Sequence, residues 1–201
     1  MNIKTVSFDS VIIYFKQHIS EEILDEVQST YLSLQELEWI IDITPSYCSI
    51  LITYDIYKYN HKSIKIAIQK QCSLGLTLAN KKTNKLIKIK TNYKNNLDLK
   101  RVANHNDLMI EEVISLHKQT TYRVYAIGFM VGFAYLAKVN PKITTPRLDS
   151  PRAKIPKGSV GIADNQTAIY PEDSAGGWNI IGHTNFDEFD SFCVGDRVIF
   201  V

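Results

Sequence analysis

The sequence predicts an α+β protein in which a small α/β sandwich is followed by a small β-barrel. In the first part of the chain, strand-like and helical runs follow one another in the order β-α-β-β-α. After Tyr122 there is no helical period, and short β-rich runs are separated by glycine and proline. Between the two parts, Ser73–Asn84 is rich in small and polar residues and is a candidate linker. We therefore place the domains at residues 1–78 and 85–201.

The first predicted elements are a strand and a helix. Val11–Phe15 is β-branched and aromatic, which favours a strand. Ser20 precedes Glu21 and Glu22, a helix start with acids placed for the helix dipole. The helix is expected to run to about Leu34, with an apolar stripe at helical spacing made of Ile23, Val27, Tyr31 and Leu34.

The next three elements complete the predicted sandwich. Trp39–Ile43 and Ser49–Tyr54 are strand-like and are separated by the turn residues Pro45 and Ser46, which predicts a hairpin. His61–Cys72 is interpreted as a second helix because of its length and its interspersed polar residues. Its alternating isoleucines would also suit a strand.

The second part begins with a strand and a helix. Leu86–Tyr93 is strand-like, and Met109–Lys118 places Ile110, Val113, Ile114 and His117 on one helical face. The uncharged run Val124–Ala137 is 14 residues long, short of the roughly 20 that a membrane-spanning helix needs. We interpret it as a buried core segment.

Composition indicates an ordinary globular protein. Of the 201 residues, 45% are hydrophobic and 22% are charged, enough apolar material for a substantial core. The net charge of +2 gives no indication of a nucleic-acid or membrane-surface partner. The basic residues that do cluster are Lys81, Lys82, Lys85, Lys88, Lys90 and Lys94. This pattern favours an edge strand protected by lysines over a phosphate- or nucleic-acid-binding site.

Cysteine usage indicates a reducing compartment. Cys48, Cys72 and Cys193 form no CxxC pair, so neither a disulfide framework nor a zinc site is predicted, and no metal is expected. Residues 1–15 lack the order of a signal peptide. We expect a cytoplasmic protein.

The densest group of chemically capable residues is Pro146–Thr184. The usual phosphate-loop, dinucleotide, zinc-protease and nucleophile-elbow signatures are absent from the sequence. This segment instead contains two Pro-Arg pairs, several glycines, and hydroxyl and amide side chains. Arginine can hold a carboxylate or phosphate in two hydrogen bonds, and glycine lets backbone N–H groups approach an anion. A small acidic substrate is the natural hypothesis.

The chain resembles the family of 5-oxoprolinase B subunits, also known as kinase A inhibitor-like proteins or allophanate hydrolase subunit 1. The resemblance covers nearly the whole chain and is most specific in Tyr122–Thr184. It is carried by an ordered series of motifs: Ile127–Leu136, Pro146-Arg147, Pro151-Arg152, Gly158–Ala163, Gln166-Thr167, Ile169–Pro171, Gly176–Trp178 and Ile181–Thr184, with Thr44–Tyr47 upstream and Gly195–Val198 downstream.

The resemblance implies a ferredoxin-like N-terminal domain and a cyclophilin-like barrel. Similar proteins pair with two other subunits, a cyclophilin-like C subunit and an A subunit, and together convert 5-oxoproline and ATP to glutamate, ADP and phosphate. ATP is thus the expected cosubstrate of the complex, and the sequence leaves open which chain binds it. The lactam of 5-oxoproline is a poor electrophile, and phosphorylation of its oxygen before water attacks would supply the driving force.

Nine residues are candidate substrate-binding residues, and no catalytic acid or base is assigned. The candidates are Arg147, Arg152, Ser159, Gln166, Tyr170, Gly176, Gly177, Trp178 and His117. Each has a structural alternative. The arginines could form surface salt bridges, Trp178 could fill the core, and Ser159, Gln166 and Tyr170 could satisfy turn backbone groups. A lone histidine on an apolar helix face, such as His117, is more typical of a hydrogen-bonded core residue.

Several positions depart from the family pattern. Val131 and Ala134 replace two prolines of a loop, so we expect this loop to be more mobile. Asp164 stands where glycine is usual, Tyr93–Asn96 replaces a glycine-rich stretch, and the connection from Thr184 to Gly195 is shorter than expected. These departures leave open whether activity is weakened.

Two other functions remain open at this point. The kinase-inhibitor name implies a regulatory module that docks on a sensor histidine kinase. The allophanate-hydrolase name implies half of a carboxyltransferase that acts on urea or a related amide with biotin.

Overall fold

The computed structural model describes residues 2–75, 84–94 and 97–201. It contains two compact units of mixed α/β structure, Met1–Thr83 and Asn84–Val201. Most of the predicted linker Ser73–Asn84 lies outside the described residues, as do Lys81, Lys82 and the Asn95-Asn96 part of the diverged stretch. The boundaries 1–78 and 85–201 stay a prediction.

The first unit is a four-stranded antiparallel sheet covered by two helices. Its strands lie in the order β1-β2-β4-β3, once the elements are numbered along the chain. The strands and helices of this unit are β1 Asn2–Thr5, β2 Ser10–Tyr14, α1 Glu21–Leu34, β3 Ile40–Ser46, β4 Ser49–Tyr54 and α2 His61–Gly75.

Both helices of this unit pack into one core, α1 with its predicted apolar stripe. Ser20 caps α1 by accepting a hydrogen bond from the Ile23 backbone N–H, as its position predicts. Val27 of α1 and Ile64 of α2 are fully buried with alternate residues of β2 and β4. Because β-strand side chains alternate between faces, one face of the sheet is apolar and meets the helices. The helical interpretation of His61–Cys72 is confirmed.

One prediction for this unit is wrong, and one strand was not predicted. Pro45 and Ser46 do not form the turn; they are paired with Ile50 and Ser49 at the end of β3, and the turn is Tyr47-Cys48. β3 is an edge strand, where proline costs no ladder hydrogen bond. The additional strand β1 was missed because it is mostly exposed and lacks alternating hydrophobic residues.

The second unit is built on a seven-stranded curled sheet. Its strands lie in the order β12-β9-β10-β7-β6-β13-β5, and β8 and β11 form a separate two-stranded antiparallel sheet. The elements are β5 Leu86–Ile89, α3 Leu99–His105, α4 Ile110–Gln119, β6 Tyr122–Ile127, β7 Ala134–Ala137, β8 Arg152–Ile155, β9 Ser159–Ala163, β10 Gln166–Ile169, β11 Ser174–Gly176, β12 Asn179–His183 and β13 Arg197–Phe200.

The inner face of the curled sheet holds the main core. Val124, Leu136 and Ile162 are fully buried there together with apolar residues of α3 and α4. The two ends of the sheet, β5 and β12, meet through one isolated bridge between Asn92 and His183. The structure thus confirms a mixed α/β protein with a curled sheet, and the ferredoxin-like and cyclophilin-like assignments stay predictions.

The predicted elements of the second unit need two corrections. Val124–Ala137 is not a continuous buried segment, because it forms the hairpin β6–β7 with an exposed tip; Phe129 and Val131 are 64% and 79% exposed. Helix α3 was not predicted, since seven residues carry too little periodic signal, yet its Leu99 and Val102 are buried. β5 lies at one end of the sheet, as the lysine-rich segment predicted; this position does not decide between a protected edge and a phosphate site.

No helix within residues 2–75, 84–94 and 97–201 combines the length and the hydropathy needed to cross a membrane.

Candidate functional site

Four aromatic side chains cluster on the outer face of the curled sheet. They are Phe133, Tyr135, Tyr170 and Trp178, which we call the aromatic cluster. The ring centroid of Phe133 lies 4.9 Å from that of Tyr135, 5.3 Å from that of Tyr170 and 5.7 Å from that of Trp178. These edge-to-face distances are those at which aromatic rings attract. Tyr135 is only half-buried, so the cluster reaches the surface.

Arg147 places a positive charge over this cluster. Its guanidinium carbon lies 5.7 Å from the centroid of the Trp178 ring, within cation–π range. The backbone N–H of the next residue, Leu148, donates to the Gly177 carbonyl over 2.8 Å, which ties the first Pro-Arg pair to the Gly-Gly-Trp segment. Burial raises the pKa of Tyr135, and the charge of Arg147 opposes that rise. Arg147 itself is exposed and can meet a ligand.

Arg152 is held by a carboxylate of the same unit. Its Nη2 donates to Asp98 Oδ1 over 2.6 Å, and the Asp98 side chain is only 5% exposed. The other oxygen of Asp98 accepts from the Ile180 backbone N–H over 2.7 Å. Asp98 therefore links β8, the start of α3 and β12. The Nη1 of Arg152 is shielded from solvent and has no hydrogen-bond partner within the described residues.

Asn179 is the polar centre beneath this surface, and the sequence analysis missed it. The side chain is fully buried; its amide donates to the Pro146 carbonyl over 2.9 Å and to the Ile162 carbonyl over 3.0 Å, and its oxygen accepts from Arg101. It thus fixes the loop that carries Arg147. Because Asn179 directly follows Trp178, its place beside that motif could have marked it as a candidate. Sequence spacing, however, does not distinguish a buried amide from an exposed one.

Tyr170 and Gly176 are matched to each other. Burial raises the pKa of Tyr170 to about 12, although a backbone hydrogen bond from Trp178 and the charge of Arg147 oppose the rise. A Cβ at position 176 would overlap the Tyr170 hydroxyl, so this position requires glycine. The Gly176 motif therefore has a packing reason that is independent of any ligand.

Six of the nine predicted site residues come together here, and three do not. Arg147, Arg152, Tyr170, Gly176, Gly177 and Trp178 lie in or directly beside the aromatic cluster. Gln166 is half-buried and lies beside the turn that joins β9 to β10. Ser159 is buried and lies at the opposite end of these two paired strands. His117 lies in the main core on the other side of the sheet.

The contacts of His117 are those of a core residue. The ring is fully buried, with Nδ1 at 2.8 Å from the Tyr93 hydroxyl and Nε2 at 2.9 Å from Thr167 Oγ1. Burial lowers its pKa to about 3, so the imidazole is neutral at physiological pH. Its predicted role in substrate binding stays a prediction.

The titratable groups of the cluster and its rim are two phenols, two guanidiniums and the paired carboxylate Asp98. The pKa of both phenols, Tyr135 and Tyr170, is raised, so both are protonated at neutral pH and can donate hydrogen bonds. Such a surface has the charge and the donors that an anion requires. Within the part of the chain that the structure describes, no group of three or more His, Cys, Asp or Glu side chains is arranged to hold a metal ion.

The sequence and its geometry match a known family. The profile described as "carboxyltransferase domain, subdomain C and D" matches residues 1–193. The B subunit of 5-oxoprolinase from Bacillus subtilis (strain 168) is 32% identical over 196 residues, which cover 90% of this chain and 81% of that relative. The chain belongs to this carboxyltransferase-domain family. The resemblance drawn from the motifs is confirmed.

Solved structures of similar chains share the fold. The protein TTHA0988 is 28% identical, with a TM-score of 0.83 over 97% of this chain and 40% of that chain. The urea amidolyase of K. lactis is 15% identical, with a TM-score of 0.76 over 99% of this chain and 14% of that chain, which shows a shared fold alone. The chain therefore spans less than half the length of either solved protein.

The departures from the family pattern have a visible backbone context. Asp164 has φ of +52°, a left-handed conformation that glycine adopts without strain, which explains why glycine is usual there. Val131 lies at the exposed tip of the β6–β7 hairpin, whereas Ala134 begins β7 and is buried. The family's two loop prolines therefore correspond to two different environments.

Proposed function

We propose that this chain is one component of an ATP-dependent 5-oxoprolinase complex and that its aromatic cluster with Arg147 contacts 5-oxoproline. The Bacillus subtilis relative, which is named as a component of 5-oxoprolinase and is similar along 90% of the chain, supports the activity. The observation that carries the site is the Arg147 guanidinium above the Trp178 ring. In this proposal the two units are the ferredoxin-like and cyclophilin-like domains of such a protein.

The chemistry of the ligand fits this surface. 5-Oxoproline has one carboxylate and one small lactam ring. The planar fork of Arg147 suits the carboxylate, and the half-buried ring of Tyr135, which packs against Trp178, offers an apolar wall for the lactam ring.

Proton transfer and ATP use are assigned to the complex. Tyr135 and Tyr170 are protonated at neutral pH, and Asp98 is engaged by Arg152 and Ile180, so none of these groups is placed to act as a base. The proposal therefore includes partners of the C and A types that complete the site and consume ATP. The kinase-regulator alternative stays a prediction. The urea-carboxyltransferase alternative also stays a prediction, because the likeness to urea amidolyase extends to the fold alone.

Reconstitution tests the proposal. The purified chain is mixed with its candidate A-type and C-type partners, 5-oxoproline and ATP, and glutamate and ADP are quantified. We expect both products in equal amounts, and none when this chain is left out. The control replaces it with the Bacillus subtilis relative and the partners of that relative. Absence of glutamate from our mixture, with a competent control, contradicts the proposal.

A further inference from the structure

A cavity with two lysines in its wall lies where the two ends of the curled sheet meet, away from the aromatic cluster. It has a volume of about 520 Å³. The side chains around it are Lys88, Lys90, Thr91, Asn92, His183, Thr184, Asn185 and Phe186. The volume lies within the usual range for small-molecule sites.

The charged side chains that line this cavity are positive. None of its lining residues is a carboxylate, and two are lysines. Lys88 and Lys90 are two residues apart along one extended segment, so both side chains project from the same face while Ile87 and Ile89 face the core. Within the described residues, neither lysine forms a salt bridge. Two unpaired ammonium groups beside one cavity favour a ligand with more than one negative charge.

The backbone around the cavity is fixed before any ligand binds. Asn92 and His183 exchange two backbone hydrogen bonds of 2.8 Å, which form the bridge between the sheet ends. Thr184 Oγ1 donates to the Lys90 carbonyl over 2.7 Å and accepts from the Phe186 backbone N–H over 3.0 Å. These bonds hold the lysine strand against the Thr184–Phe186 segment, so little ordering is needed on binding.

His183 is fixed on the same wall by a hydrogen bond of its ring. Its Nε2 lies 3.0 Å from the Lys157 carbonyl oxygen, which can only accept, so Nε2 carries the proton. Phe186 forms an apolar wall, and its ring is held by Phe189 and Phe192 at 5.3 and 5.4 Å between centroids.

We infer that this cavity binds a phosphate-bearing small ligand through Lys88 and Lys90. Lysine recognises phosphate as a point charge, whereas recognition of a carboxylate more often uses the arginine fork, and no arginine lines this cavity. The ligand chemistry is an oligophosphate, free or as part of a nucleotide. The inference goes beyond the proposed function and does not rest on it, because binding is measured on this chain alone.

Isothermal titration calorimetry of the full chain with pyrophosphate and, separately, with ADP tests the inference. We expect saturable binding that weakens with added salt. Replacing both lysines by glutamine, Lys88→Gln with Lys90→Gln, is expected to weaken binding by at least about tenfold, since two charge-assisted contacts are lost. The Lys88→Arg, Lys90→Arg variant is expected to retain binding. ADP binding tighter than pyrophosphate indicates a nucleotide, and equal binding indicates an oligophosphate; both support the site.

A charge-matched control separates the cavity from general attraction. Lys62 and Lys70 are exposed on α2, so Lys62→Gln with Lys70→Gln removes the same net charge elsewhere. This control is expected to bind as the parent chain does, and thermal unfolding is expected to be similar for all variants. Absence of saturable binding to both probes, or equal weakening by the control, overturns the inference.

Discussion

The ion pair between Arg152 and Asp98 is the residue-scale link between three elements. We predict that Arg152→Ala lowers the free energy of unfolding by about 3 kcal/mol, because the buried Asp98 carboxylate is left without its partner. Arg147→Ala is the matched control, since its exposed side chain makes a cation–π contact worth about 0.5–1 kcal/mol. Chemical denaturation measures both. Equal stabilities of the two variants would contradict the assignment of Arg152 as a structural clamp.

His117 makes the stability of the protein depend on pH. Its pKa is lowered to about 3 in the folded state against 6.5 for the free group, so below pH 6.5 the unfolded chain binds a proton that the folded chain does not. The free energy of unfolding is therefore expected to fall as pH drops from about 6.5 toward 3, by up to about 1.4 kcal/mol per pH unit.

The His117→Gln variant is expected to remove this part of the pH dependence. Denaturation midpoints at several pH values give the slope, and His105→Gln, a change at an exposed histidine, is the control that leaves the slope unchanged. A slope in His117→Gln that equals the parent slope would show that the buried imidazole does not cause the acid sensitivity.

At the scale of elements, the turn between β9 and β10 is strained by its residue. Because Asp164 adopts φ of +52°, we predict that Asp164→Gly raises the free energy of unfolding by about 0.5–1 kcal/mol. Asp164→Asn is expected to be nearly neutral, since asparagine tolerates this conformation, and Asp164→Val to be destabilising. Thermal unfolding of the three variants checks the order. A glycine variant less stable than the valine variant would refute the strain argument.

The elements also show how far sequence patterns reach. Helices α1, α2 and α4 were predictable because each has an apolar stripe or a capping residue that acts locally. Strand β1 and helix α3 were missed, since a polar edge strand and a seven-residue helix are stabilised by their neighbours. The hairpin tip at Phe129 was taken as buried because hydrophobicity does not reveal which apolar residues a turn exposes.

For the whole molecule, the order of motifs along the sequence was enough to predict the family. Which residues meet at the site could be seen only in the folded structure. Arg147, Tyr170 and Trp178 were candidates from the sequence, but their meeting depends on strand register. Asn179 and Asp98 could not be selected, because only burial makes an ordinary amide or carboxylate a structural centre. The near-neutral net charge of +2 likewise gave no sign of a cavity lined by two lysines.

The central claim is that Arg147 above the aromatic cluster holds the substrate of a multi-component 5-oxoprolinase. The most direct measurement is steady-state kinetics of the reconstituted complex with Arg147→Ala, with Lys142→Ala as an exposed-cation control. We predict that kcat/KM for 5-oxoproline falls by at least about tenfold, with the KM for ATP unchanged, because a charge-assisted contact to the carboxylate is lost. A kcat/KM for 5-oxoproline equal to that of the parent complex would contradict the claim.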